Sequence, residues 1–450
     1  MSRLARTAHA ALLAAFAAAA GPAYAWSNHA LGTRPALASM AELGALPPVP
    51  AESLADYLAA DARGVASVLA QEEAWARRNV AQYPPRPDAL AFAAQGTSRD
   101  ALVARFAAAT RINPQSRLAL FAQLPPDADA SGRPVLAKEA ITIFPHSDSA
   151  RLDTFVALRE GEPVSVIDVI ATASDEPDYG LDIGLWSDTS TSYGKTYGFG
   201  RQPFGNPAVD ISSQAPLHMG FFHEPKVVYA AAPFLGRTFP EYRVHLWQAL
   251  AAQAFRSGHP YWGWRFAGWG LHYVQDLTQP YHSRVLPGAG ALRMLWINAL
   301  DLAGMHGPKN AVVNVVTNRH FALENYELHW LFGALRRKDA NDAALRALGG
   351  GAGDTTPTFS DASLRQTITR ESYDAADAID EALVAALPRR YTSDPSYVFG
   401  VTEPAVDLYA ALATADPAAR STLERGVLPL LAHFGTHTRS FIRAVLQTSR

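Results

Sequence analysis

Not one of the 450 residues is cysteine. No disulfide can staple this chain, so its fold must rest on packed apolar surface. Its 48% hydrophobic residues supply enough for a large core in one or two domains. The same absence removes thiolates from metal binding: any metal site has to be assembled from His, Asp, Glu and backbone groups. The formal net charge of −3 gives no sign of the polybasic surface that nucleic-acid binders carry. A cleft can still grip phosphate locally, so bulk charge decides little about the site.

The first 25 residues have the layout of a cleaved leader. Arg3 and Arg6 form a short basic region, Ala10 to Ala20 is apolar, Gly21-Pro22 breaks it, and Ala23-Tyr24-Ala25 is a small-x-small cleavage signal. The expectation is a secreted or periplasmic protein whose mature chain begins at Trp26. No later stretch reads as a membrane span, because Arg, His, Asp or Glu interrupt the apolar segments.

Downstream, residues 36–75 and 99–124 are rich in Ala and Leu with spaced charges and suggest helices. Residues 138–170 carry β-branched stretches (Ala140–Phe144 and Val164–Ile170) that suggest a few short strands. Residues 186–216, rich in Ser, Thr, Gly and Pro, read as a long surface loop or insertion. From Glu241 the pattern turns helical, over 242–257, 261–278, 289–305, 310–337, 361–386 and 404–446. The expected fold is mainly α with a modest β or irregular addition.

The strongest chemical signal is His272-Tyr-Val-Gln-Asp276-Leu-Thr-Gln-Pro-Tyr-His282. On a helix, His272 and Asp276 stack on one face within reach of one metal. Pro280 then bends the chain so that His282 approaches from another direction. His320-Phe-Ala-Leu-Glu324 repeats the four-residue spacing. A mature terminus at Trp26 adds an α-amine, with pKa near ~7.7–8.0, and a carbonyl that together chelate a metal; His29 lies three residues on.

These pieces, in this order, resemble the secreted trinuclear zinc hydrolases, the superfamily of bacterial phospholipases C and single-strand-specific nucleases. The resemblance covers the N-terminus and roughly residues 170–330. It implies a multi-helix core with long loop insertions and a few short strands. Residues 26–340 would form the phosphodiesterase domain, with an insertion near 186–216, and residues 341–450 a helical C-terminal extension packed on it. It also implies three Zn²⁺. One would take Asp178, His218, His272 and Asp276. A second would take Trp26 and His29 and share Asp276 as a bridge. The third would take His282, His320 and Glu324. Asp175 and Asp182 rival Asp178 as ligand, and His223 rivals His218. The Asp178–His218 and His282–His320 separations are longer than the family pattern and look like loop insertions. Asp178 and Asp276 are the candidate catalytic residues.

The family's metals serve both lipids and nucleic acids. Glu324-Asn325-Tyr326, the Asp178-Tyr179 pair and the missing cysteines look more like the phospholipases, with Tyr179 as an aromatic wall for a choline group. The expected reaction is phospholipase C cleavage of a phosphatidylcholine-like lipid by metal-activated water, with transient contact to a membrane surface. The alternatives are a secreted single-strand-specific nuclease using the same ions, with nucleic acid as partner, and a non-catalytic zinc-containing binding protein.

Overall fold

The computed structural model describes residues 28–93, 98–126, 128–145, 147–207, 209–350, 356–400, 402–403 and 405–449. The leader expected over 1–25, and Trp26, lie outside them. The fold is 63% helical, as the mainly α expectation requires.

The principal helices are α1 (His29–Ala38), α2 (Ala62–Asn79), α3 (Arg99–Thr110), α4 (Val166–Asp175), α5 (Pro240–Arg256) and α6 (Pro260–Asp276). After these come α7 (Ala291–Leu302), α8 (Gly307–Arg336), α9 (Thr369–Ala386) and α10 (Pro417–Thr448). Four short strands make two antiparallel pairs. Val49–Pro50 (β1) pairs with Pro163–Val164 (β4), and Phe121–Leu124 (β2) with Thr154–Ala157 (β3), in the register Phe121↔Ala157 to Leu124↔Thr154.

Helix α6 is the axle. Every residue from Tyr261 to Asp276 is buried, which is how a helix apolar all round must sit. Phe266 stacks on Trp247 of α5, Trp269 meets that indole edge-on, and Trp262 packs against Phe266. On another face α6 packs against α4, and there Gly268 sets the spacing. A Cβ on Gly268 would lie 2.5 Å from the Ala173 Cβ and 2.8 Å from the Ile170 carbonyl oxygen. Only glycine lets the two backbones approach this closely, and the approach brings His272 of α6 to the C-terminal end of α4.

Three local expectations are corrected. Residues 99–124 are helical only over Arg99–Thr110, and Phe121–Leu124 is the strand β2. Val164–Ile170 is not a strand beyond its first residue. Ser165 accepts the Asp168 N–H and donates to the Asp168 carboxylate, and this cap starts α4 at Val166. Ala140 closes the 3-10 helix Lys138–Ala140, and the residues from Ile141 to Phe144 are turn and irregular backbone, not strand. The 186–216 segment has short helical turns at Ser192–Thr196 and Asp210–Gln214 between irregular stretches, and it is not only surface. Trp186 and Phe199 are buried in the main core, and the Trp186 indole donates to the Ser213 carbonyl.

The C-terminal helices pack directly on the motif-bearing core. Ser372 of α9 donates to the Leu277 carbonyl, Asp380 accepts the Tyr281 hydroxyl, and Phe434 of α10 closes over Gly32 of α1. Among the described residues no helix is long and apolar enough to cross a membrane.

Candidate metal centre

Eight of the nine expected metal ligands lie among the described residues, and all eight converge. Three groups form, the first two sharing His272: His29, His272 and Asp276; Asp178, His218 and His272; His282, His320 and Glu324. Within each group the ligand atoms lie within 4.8 Å of one another, and all the residues are buried. The ninth, Trp26, lies outside the described residues.

Each piece arrives by a local rule. His272 and Asp276 share a face of α6, and their Nε2 and Oδ2 are 3.3 Å apart. The helix ends after Asp276, and Pro280 opens the short helix Pro280–Ser283, which turns His282 back into the cluster. His320 and Glu324 repeat the four-residue spacing on α8, 2.6 Å apart. His218 comes from the short helix Ala215–His218, and His29 is the first residue of α1.

The histidine tautomers follow from their outer partners. His272 Nδ1 lies 2.8 Å from the Ser174 carbonyl and His282 Nδ1 3.2 Å from the His218 carbonyl. Carbonyls only accept, so both Nδ1 atoms carry the proton. His218 Nε2 donates to Asp182 Oδ2 at 3.1 Å. His29 Nδ1 donates to Gln275 Oε1 at 2.9 Å, because the Gln275 amide nitrogen is committed to Thr33 and Thr438. Four imidazoles therefore turn a donor outward and a lone pair inward. The inward nitrogens of His272 and His218 face each other at 3.1 Å, as do His282 Nε2 and His320 Nε2 at 3.0 Å. Lone pairs that close repel unless a proton or a cation lies between them. Histidine ligands held by an outer carboxylate or carbonyl are the usual support of a metal site.

Asp276 stands at the centre. Oδ2 is 2.8 Å from His218 Nδ1, while Oδ1 is 3.6 Å from His29 Nε2 and 3.5 Å from His282 Nδ1. None of these pairs has hydrogen-bond alignment, so both Asp276 oxygens and His29 Nε2 are buried without a hydrogen-bond partner. Orphaned buried acceptors at such cost call for a cation. The donor set of neutral imidazoles and carboxylates fits a divalent metal of the zinc type. These buried clusters can hold metal ions.

The electrostatics agree. Burial disfavours the Asp276 carboxylate, but His272, His282 and His218 outweigh it and hold its carboxyl well below the usual range. Burial pushes His282 and His320 down to about 3 and keeps both neutral. Burial also drives Asp178 up to about 7 against the pull of His272 and His218. His218 is opposed by burial yet raised to about 10 by Asp276 and Asp182. Without metal, His218 and part of Asp178 therefore hold protons where ligand lone pairs are needed. Metal must displace them, so affinity should climb from pH 6 to pH 8 and fall as pH drops through about 7. Titration calorimetry in buffers of different ionisation enthalpy should read net proton release. A buffer-independent heat would contradict these protonation states.

The rival ligands find other work. Asp175 accepts the backbone N–H of His29 and of Ala30 and the Gln123 amide. Asp182 sits behind His218, where it also accepts from Tyr273 and Arg243. His223 bonds Thr369 and packs on Tyr373, in none of the three groups. The cluster thus takes Asp178 and His218, the former held by Gln214 at 2.7 Å.

Tyr179 is a correction. Its ring is 5% exposed, set edge-on against Phe155 and packed with Phe121 and Ile141, and its hydroxyl donates to Gln123. The ring belongs to a small apolar core, so the expected choline wall is not found there.

Sequence reasoning missed the supporting residues Gln275, Gln279 and Gln214, and it named Asp182 only as a rival ligand. Gln275 and Gln279 carried a signal, since both lie inside the 272–282 motif. Gln279 donates to Glu324 Oε1 and accepts the Tyr281 N–H. No protein-family model matches the chain, and comparison with curated proteins and with solved structures gives no significant match.

Proposed function

We propose that this chain is a zinc-dependent phosphodiester hydrolase holding three zinc ions, acting chiefly as a phospholipase C on a phosphatidylcholine-like lipid. The observation that carries the reading is Asp276, a buried carboxylate with both oxygens orphaned among histidines whose lone pairs point at it. Bound zinc would supply the Lewis acidity that makes water a nucleophile near neutral pH and neutralises the phosphate oxygens.

The chain's own residues would do the rest. Asp276 would serve as the shared ligand. Asp178, which accepts a hydrogen bond from Gln214, would orient the attacking water and take its proton. His282, His320 and Glu324 would hold a third ion, which would supply charge stabilisation to the leaving oxygen. Water adds at phosphorus, the bond from phosphorus to the glycerol oxygen breaks, and that oxygen leaves protonated as diacylglycerol. The lipid assignment is supported by Glu324-Asn325-Tyr326 and the cysteine-free chain; Tyr179 has no part in it. Removal of residues 1–25 and export would expose the Trp26 amine as a further ligand beside His29.

The test is an assay of purified mature protein on phosphatidylcholine and on single-stranded DNA, with and without chelator, alongside elemental analysis. The expected result is close to three zinc ions per chain and chelator-sensitive release of phosphocholine. Active protein without zinc would overturn the metal reading. Rapid DNA degradation with phosphatidylcholine left intact would replace the lipid by nucleic acid and leave the metal centre standing. N-terminal sequencing that begins elsewhere than Trp26 in active protein would remove the terminal amine from the ligand set.

A further inference from the structure

Helix α7 has no buried residue, although most of its side chains are apolar. Leu292, Trp296, Ala299 and Ala303 follow one another at four-, three- and four-residue intervals, which aligns them on one face. All four are exposed, Leu292 by 83% and Trp296 by 66%, and Leu302 beside them by 80%. Leu292, Trp296 and Leu302 are half of the large apolar side chains that stand exposed among the described residues.

The helix is firmly mounted. Its inner side, through Ala291 and Met294, packs on the Phe221–Val228–Leu235 cluster, which follows His218 in sequence. Asn298 donates to the Ala231 carbonyl. The connection after α7 leads straight into α8, the helix that carries His320 and Glu324. From Gly307 to His320 is about 20 Å of helix. The bare face is thus tied to two of the segments that build the metal centre.

We infer that this face is an interfacial anchor that seats the protein on a phospholipid surface; the inference rests on the phospholipid reading given above. Size and charge select that occupant. The strip is about 18 Å long and about 10 Å wide, far short of the ~800 Å² per partner that a standard protein interface buries. A bilayer or micelle demands only apolar depth, and Trp with Leu suits the headgroup–acyl boundary. Between residues 285 and 318 the only acidic side chain is Asp301. It is already paired with His306 and Lys309 at 2.7 Å each. Arg293 is exposed at the edge of the strip and available to lipid phosphates, and Asp377, which reaches Gly288 from α9, is itself paired with Arg284 at 2.8 Å.

The experiment is co-sedimentation of the full-length mature protein with phosphatidylcholine vesicles, comparing wild type with a Leu292→Ser/Trp296→Ser variant. Both positions face solvent, so the variant should fold, and a soluble phosphodiester should be hydrolysed within twofold of wild type. Vesicle affinity should fall at least tenfold, with a matching loss of activity on vesicles only. Unchanged vesicle binding in the variant, or no binding by wild type, overturns the anchor. A wild-type dimer that the variant dissolves would assign the face to a second copy and also overturn it. Binding is read without turnover, so a protein that binds vesicles through this face but hydrolyses no phosphodiester would refute the enzymatic reading and leave the anchor intact.

Discussion

Asp276→Asn should abolish activity, by about 10³-fold or more, equivalent to about 4 kcal/mol of transition-state stabilisation. It should also lower the metal content by more than one ion. The substitution keeps the shape but removes the charge that the surrounding histidines compensate, and it places an amide where both oxygens are needed as acceptors. Elemental analysis and an activity assay on the same preparation give the answer. Full zinc content with full activity would exclude a bridging role, whereas loss of a single ion would make Asp276 a ligand to one metal only.

Asp182→Ala should have the largest effect on the fold. Asp182 and Arg243 are both fully buried and 2.5 Å apart, and Asp182 also holds the Tyr273 hydroxyl and the outward nitrogen of His218. Removing it strands a guanidinium in the interior, a loss of about 3–5 kcal/mol. A denaturant midpoint should register it. Asp182→Asn separates support from charge. It fills the same space, so the protein should fold, but a weaker acceptor behind His218 should lower metal affinity roughly 10–100-fold. If the Asn variant binds metal as tightly as wild type, Asp182 serves the fold alone.

Much of the centre was legible because helical periodicity is a local rule. His272 with Asp276, and His320 with Glu324, needed only the four-residue spacing on segments long enough to be helices. The turn at Gln279-Pro280 announced that His282 would change direction. Choosing Asp178 over Asp175 and Asp182 was harder from sequence. All three fall within one stretch of helix and turn, and the choice depends on which side of His218 and α1 each faces. Tyr179 was misread for a related reason. Its neighbours Phe121 and Phe155 lie on β2 and β3, and no local pattern reveals that this pair of strands closes over it. Val164–Ile170 looked like a strand because its β-branched residues outweighed a single serine, yet the Ser165 cap decided the geometry. The burial of Trp186 and Phe199 was equally hidden, since the Gly- and Ser-rich composition around them reports only irregular backbone.

Gln275 accepts a hydrogen bond from His29 at one end of its amide and donates one to Thr438 at the other. Its consequence is one of timing. A chain made from its N-terminus carries His29 long before Thr438 exists, and the two are joined through a residue far from both in sequence. Such contacts form late, after costly loop closure. A chain halted before α10 would possess all eight described ligands, yet the Gln275 amide that orients the first of them would be held by Thr33 alone. Completion of the centre is in this way coupled to completion of the polypeptide.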